Sequence, residues 1–86
     1  MSPRLRPDIT TTDTGDGTVL LDERTGRYWQ LNPTGAQVLD ALLSGQRTEQ
    51  IAARLAAENH LDTEQALRDV TALADRLHAA NLVVRS

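Results

Sequence analysis

The spacing of apolar positions changes once along this chain, at Asn32-Pro33. Upstream, the apolar residues fall in short runs bounded by turn residues: Leu5 and Ile9 among threonines, then Val19-Leu20-Leu21, then Tyr28-Trp29 with Leu31. Runs of this length and composition predict strands. The first covers residues 4–12, and Pro7 suits it to a sheet edge because proline has no N–H for a ladder. Thr14-Gly15-Asp16-Gly17 reads as a turn into a second strand over Thr18–Asp22. Arg24-Thr25-Gly26 then reads as a three-residue hairpin loop, Gly26 taking a positive φ, before a third strand over Arg27–Leu31. That loop length predicts Glu23 opposite Arg27, Leu21 opposite Trp29 and Val19 opposite Leu31. Four apolar side chains then share one face, with Asp22, Tyr28 and Gln30 on the other.

Downstream the period becomes helical. Asn32 can cap a first helix with Pro33 at its first position, Ala36, Leu39, Leu42 and Leu43 form its apolar face, and Gly45 stops it. A second helix opens at Thr48, carries Ile51, Ala52, Leu55 and Ala56, and ends near Asn59. A third runs from Asp62 or Thr63, where Asp62 and Gln65 have the spacing of a capping box, to about Ala80. Its stripe is Ala66, Val70, Leu73 and Leu77, flanked by Leu67 and Ala74, and Leu82-Val83-Val84 closes the chain. The prediction is an α+β domain over residues 1–86: a three-stranded antiparallel sheet over about 4–31, then a three-helix bundle over about 33–80.

Composition narrows the function. A chain of 86 residues is one thin-cored domain that buries about 60% of its unfolded surface. With no cysteine it has neither disulfides nor thiolate chemistry. Its apolar runs are too short to span a bilayer and its start lacks the apolar stretch of a signal peptide, so a cytoplasmic location away from membranes is expected. The net charge is −3 and all nine basic residues are arginine. Three helices after a hairpin also outline a helix-turn-helix. However, the third helix sets Asp62, Glu64, Asp69 and Asp75 against Arg68 and Arg76, the wrong balance for a phosphate backbone, so nucleic acid is not an expected partner.

Catalytic signals are missing. His60 and His78 have no metal-ligand spacing, the serines have no triad partner, the carboxylates sit in turns, caps and polar helix faces, and the glycines form no phosphate loop. No enzyme activity, metal or cofactor is expected. Tyr28 and Trp29, the only aromatics, are adjacent on a strand and point to opposite faces, Trp29 into the core.

The stretch from Leu20 to Gly35, Leu-Leu-Asp-Glu-Arg-Thr-Gly-Arg-Tyr-Trp-Gln-Leu-Asn-Pro-Thr-Gly, resembles the PqqD-like family: a strand ending in Leu-Asp, a Thr-Gly turn, an aromatic strand and Leu-Asn-Pro-Thr-Gly leading into a helix. The likeness continues through Gly45–Leu55, where Ile-Ala-x-x-Leu follows a glycine, an arginine and a threonine, and through the third helix to Asn81-Leu82. Asn81 stands where the family pattern has glycine, and asparagine tolerates the same left-handed backbone. The resemblance implies a winged helix-turn-helix that binds the leader of a ribosomally made precursor peptide and presents it to modifying enzymes. The chain looks most similar to the stand-alone leader-binding proteins of lasso peptide pathways. Their partners are a cysteine-protease-type leader peptidase and an ATP-dependent macrolactam synthetase, and their leaders carry a tyrosine and, three residues on, a proline. A PqqD-type peptide chaperone of another pathway is the alternative, and a winged-helix DNA-binding protein a more distant one.

The family's binding mode, combined with the predicted strand order, places the leader on the open edge of the third strand. Arg27, Trp29 and Leu31 then bond to the second strand, and the backbone groups of Tyr28 and Gln30 face the peptide. On the third helix, Leu67, Thr71 and Ala74 lie on one flank of the stripe, with Val70 beside them as a floor and Asp75 further round. Those five residues, with Arg27, Tyr28, Trp29, Gln30 and Leu31, make the candidate site. The opposite flank, which carries Asp69, is the alternative wall.

Overall fold

The computed structural model describes residues 3–84. Along the chain run β1 (Arg4–Leu5), β2 (Ile9–Thr14), β3 (Gly17–Asp22), β4 (Tyr28–Leu31), α1 (Pro33–Leu43), α2 (Thr48–Asn59), α3 (Thr63–Ala79) and β5 (Val83–Val84). The α+β winged-helix architecture expected from the sequence is present, with β2-β3-β4 as its antiparallel sheet. The single first strand over 4–12 is not. Around Pro7, which has no N–H to give, the chain turns, and Ile9 N–H donates to the Arg6 carbonyl at 3.0 Å. Arg4 and Leu5 leave to pair with Val84 and Val83, so the closing apolar segment becomes half of a separate two-stranded ribbon.

The β3–β4 hairpin has four loop residues, Glu23 to Gly26, and not three. Asp22 N–H donates to the Arg27 carbonyl (2.9 Å) and Gly26 N–H to the Asp22 carbonyl (2.8 Å). The Asp22 carboxylate turns back to accept Arg24 N–H at 3.0 Å, and Thr25 Oγ1 accepts Arg27 N–H at 3.2 Å. Every pairing therefore moves by one on β3: Leu20 lies opposite Trp29, Leu21 opposite Tyr28, Val19 opposite Gln30 and Thr18 opposite Leu31. The inner face holds Thr18, Leu20 and Asp22 with Trp29 and Leu31. Val19 and Leu21, expected inside, share the outer face with Tyr28 and Gln30. Leu20 is wholly buried while Leu21 is 37% exposed, which is the same flip seen as burial. Gly26 has its expected positive φ of 76°.

The helices begin and end for the reasons their sequences offered. Asn32 Oδ1 accepts Gly35 N–H at 2.7 Å, with Pro33 at the first helical position. Asn81 takes the left-handed backbone at φ 59° and turns the chain from α3 into β5. The capping box expected at Asp62 and Gln65 is absent, because Gln65 bonds along the helix to Asp69 and Arg68. A one-way cap forms at α2 instead, where Arg47 N–H donates to Gln50 Oε1 at 3.0 Å.

The core gathers Leu20 and Ile9 from the sheet, Val38, Leu39 and Leu42 from α1, Ile51, Ala52, Leu55 and Ala56 from α2, Ala66, Val70, Ala74 and Leu77 from α3, and Leu82 and Val83. On α1 the buried face is Val38, Leu39, Ala41 and Leu42; Ala36 and Leu43 sit at its margin.

Candidate functional site

The site starts from backbone parity. In an antiparallel pair, bonded and non-bonded residue pairs alternate. Asp22 is bonded to Arg27, so Leu20–Trp29 and Thr18–Leu31 are the bonded pairs further along the ladder. The other side of β3 agrees: Glu23 N–H donates to the Asp8 carbonyl at 3.0 Å, so odd-numbered β3 residues bond to β2 and even-numbered ones to β4. Tyr28 and Gln30 thus turn their N–H and C=O groups away from β3. Because β4 is last in the sheet, these groups lie on an open edge. The parity expected for β4 holds although the register on β3 does not. A one-residue shift of β3 exchanged its own inner and outer residues, and the loop gained one residue in compensation.

Beside this edge run two connected depressions walled by α3. One, of about 180 Å³, is lined by Trp29, Gln30 and Leu31 against Leu73, Arg76 and Leu77, with Leu82 at its base. The second, about 320 Å³, shares Gln30, Leu31, Leu73 and Arg76 and continues past Asn32, Thr34 and Gly35 to Leu61 and Asp69. Passing from Trp29 to Asn32 on β4 therefore means passing from Leu77 back to Asp69 on α3, so helix and strand run antiparallel along the groove. Its walls are half-buried Trp29, Leu31 and Leu73 over buried Leu77 and Leu82, and its rim is polar. The Arg27 guanidinium carbon sits 5.8 Å from the Trp29 ring centroid.

Of the candidate residues, Trp29, Gln30 and Leu31 meet in this groove. Tyr28 stands 69% exposed on the outer sheet face, so its backbone and not its ring borders the groove. The α3 wall is the other flank. Leu67, Thr71, Ala74 and Asp75 lie away from β4, and neither depression includes them or Val70. Val70 and Ala74 are buried in the core, and α3 packs most extensively on α2, so the space left by the small Ala74 is closed. Leu73, Arg76 and Leu77, with Asp69 further along, do line the groove. Leu73 and Leu77 belong to the apolar stripe of the sequence; Arg76 enters its reading only through the charge balance of the third helix. The signal that distinguishes the flanks is size: alanines at positions 66 and 74 of α3, like those at 52 and 56 of α2, suit close helix–helix approach, leaving the leucine flank for the sheet.

A further cleft of about 320 Å³ lies between α1 and α2, lined by Gln37, Asp40, Gln46, Arg54 and Glu58 among others. It touches no open strand, so the β4 groove, where apolar walls meet unpaired backbone groups, is the stronger candidate. His60 ends α2 with a left-handed backbone (φ 56°) and His78 lies near the far end of α3. Among the described residues, no group of three or more potential metal ligands occurs, and no helix is long and apolar enough to cross a membrane.

Sheet, flanking helix and open β4 edge together define a winged-helix domain of the PqqD type. The chain belongs to the PqqD family: residues 17–83 match the family model of coenzyme PQQ synthesis protein D. Among solved structures it is similar to lasso peptide synthetase B1 complexed with the leader peptide, at 38% identity and a TM-score of 0.91, covering 99% of this chain and 100% of that one. It is also similar to TbiB1 in complex with the TbiA(beta) leader peptide, at 25% identity, a TM-score of 0.82 and 96% coverage of both chains. The PqqD truncation of Methylobacterium extorquens PqqCD, a stand-alone recognition element for ribosomally synthesised, post-translationally modified peptides, shares the fold at 20% identity and a TM-score of 0.71, over 96% of this chain and 88% of that one. No curated protein matches the chain.

Proposed function

We propose that this protein is a non-catalytic carrier that binds the leader of a ribosomally synthesised precursor, of the lasso peptide type. The leader adds as a strand to the β4 edge beside α3 and is delivered to a cysteine-protease-type leader peptidase and an ATP-dependent macrolactam synthetase. The observation that carries this reading is the coincidence of an open strand edge with an apolar groove. Unpaired N–H and C=O groups at Tyr28 and Gln30 give a peptide main-chain partners, and Leu31, Leu73 and Leu77 give its alternate side chains a place to bury. The relatives at 38% and 25% identity, both solved with leader peptides, support it.

Calorimetric titration with leaders encoded by open reading frames beside this gene tests the reading. Saturable binding, lost when the leader's tyrosine and the proline three residues on are both replaced by alanine, is the expected result; no binding to any leader refutes it. Delivery is tested separately by pull-down of the peptidase and synthetase with and without the leader.

A further inference from the structure

The groove's electrostatics carry a more specific inference, which rests on the peptide-binding reading above. Among the described residues, only two charged side chains line the two depressions beside β4, Asp69 and Arg76, and they have opposite signs. They lie seven residues apart on one helix, about 10 Å along its axis, which equals about three residues of extended chain. Arg76 borders both depressions; Asp69 borders only the part near the start of α1. The groove therefore has a positive stretch toward Trp29 and a negative one toward Asn32.

Among the described residues, neither charge has an ion-pair partner. The helical neighbours of Arg76 at three and four residues' distance are Ala72, Leu73, Ala79 and Ala80, none able to pair with it. Asp69 accepts one hydrogen bond, from the Gln65 side-chain amide at 3.1 Å, and has no cation at helical spacing. Across the groove β4 and its extension offer only neutral Gln30, Leu31 and Asn32. Both side chains are exposed at their tips, so holding them apart costs the fold little. Leucines beneath them exclude water once the groove is filled.

We propose that Asp69 and Arg76 read the charge polarity of the bound strand and so fix its direction and register. The peptide carries an acidic side chain beside Arg76 and, two to four residues along, a basic one beside Asp69. Main-chain bonding alone accepts either strand direction and any register. A dipolar wall discriminates because a reversed or slipped strand meets like charges.

A phage-displayed library of random dodecapeptides, selected on the wild-type protein and on the double charge swap Asp69→Arg with Arg76→Asp, tests this. Both positions are exposed, and circular dichroism melting confirms that the swapped protein folds. Wild-type selection is expected to enrich an acidic and a basic residue two to four apart in one fixed order, and the swapped protein the reverse order. Arg76→Glu alone is expected to weaken a wild-type-selected peptide about tenfold at low salt, and less at high salt, where exposed charges are screened. Peptides whose binding is abolished by Gln30→Pro but which show the same charge order on both proteins overturn the charge reading and leave the strand site standing. Enriched peptides indifferent to Gln30→Pro overturn the strand site, and the charge reading with it.

Discussion

Backbone chemistry at neighbouring residues of β4 should separate folding from binding. N-methylation at Trp29 removes an N–H that the ladder parity directs to Leu20, and leaves a carbonyl inside the sheet without its donor. An unsatisfied buried group of this kind costs about 1–3 kcal/mol. A domain of this size has roughly 4–13 kcal/mol of stability in total, and each kcal/mol moves the melting temperature of such a domain by about 4–8 °C. Trp29 methylation should therefore lower Tm by about 4–24 °C. The same modification at Gln30 removes an N–H from the open edge. The fold loses nothing by it, since that group faces solvent in the free protein, and Tm should move by less than about 3 °C. Leader binding should suffer: one main-chain bond contributes about 0.5–1.5 kcal/mol, and the methyl group also stands where the added strand must approach, so affinity should fall at least about tenfold. Semisynthetic protein, melted by circular dichroism and titrated by calorimetry, gives both readings. A Gln30-methylated protein that melts as early as the Trp29 one, or that keeps full leader affinity, refutes the assignment of inward and outward groups on β4.

The one-residue shift of β3 makes its own prediction. Leu20→Ala should cost about 2–5 kcal/mol, as expected for a wholly buried leucine, and Leu21→Ala less than about 1 kcal/mol; urea unfolding of the two variants checks it, and the reverse order would restore the three-residue loop. Gly17→Ala should destabilise by at least about 1–3 kcal/mol and weaken leader binding as well, because a Cβ at its φ of 139° would collide with the Leu31 carbonyl and push away the end of β4 that floors the groove; thermal melts and titration read the two effects. Asn32→Ala, which removes the α1 cap, should cost about 1 kcal/mol in urea unfolding, and Asn32→Asp much less.

The helical half was legible because its signals are local and redundant. Asn32-Pro33, the Gly45 stop and the apolar spacing of α2 each depend on neighbours within one turn, and each appears in the structure as the sequence suggested; the left-handed Asn81 is as the family resemblance implied. The sheet was legible in outline only. Three consecutive apolar residues, Val19, Leu20 and Leu21, satisfy either face, so the alternation could not fix β3 and the register rested on counting the loop. Asp22 is what makes the loop one residue longer. A carboxylate next to a turn reads as outward and solvated, yet here it is 6% exposed, accepts the Arg24 N–H and lies 3.8 Å from the Arg24 guanidinium, so it organises the loop from the inner face. Strand exchange at the N-terminus was hidden for a different reason: nothing local to Arg4-Leu5 announces a partner nearly eighty residues away at Val83-Val84.

The candidate site divides along the same line. Its strand wall follows from order and parity, which survive an error in register because the loop and the shift change together. Its helix wall depends on how far α3 is rotated about its axis, and rotation is set by what packs beneath. Small Thr71 and Ala74 look like room for a ligand when the helix is read alone. Within the fold, Ala74 is consumed by the core, and the vacancy opens instead between Leu73 and β4, where the sheet ends before it can cover the helix. A groove of this kind belongs to two elements at once. Neither carries its signature alone, which is why the backbone half of the site can be read from the chain while Leu73, Arg76 and Asp69 become visible only once strand and helix stand side by side.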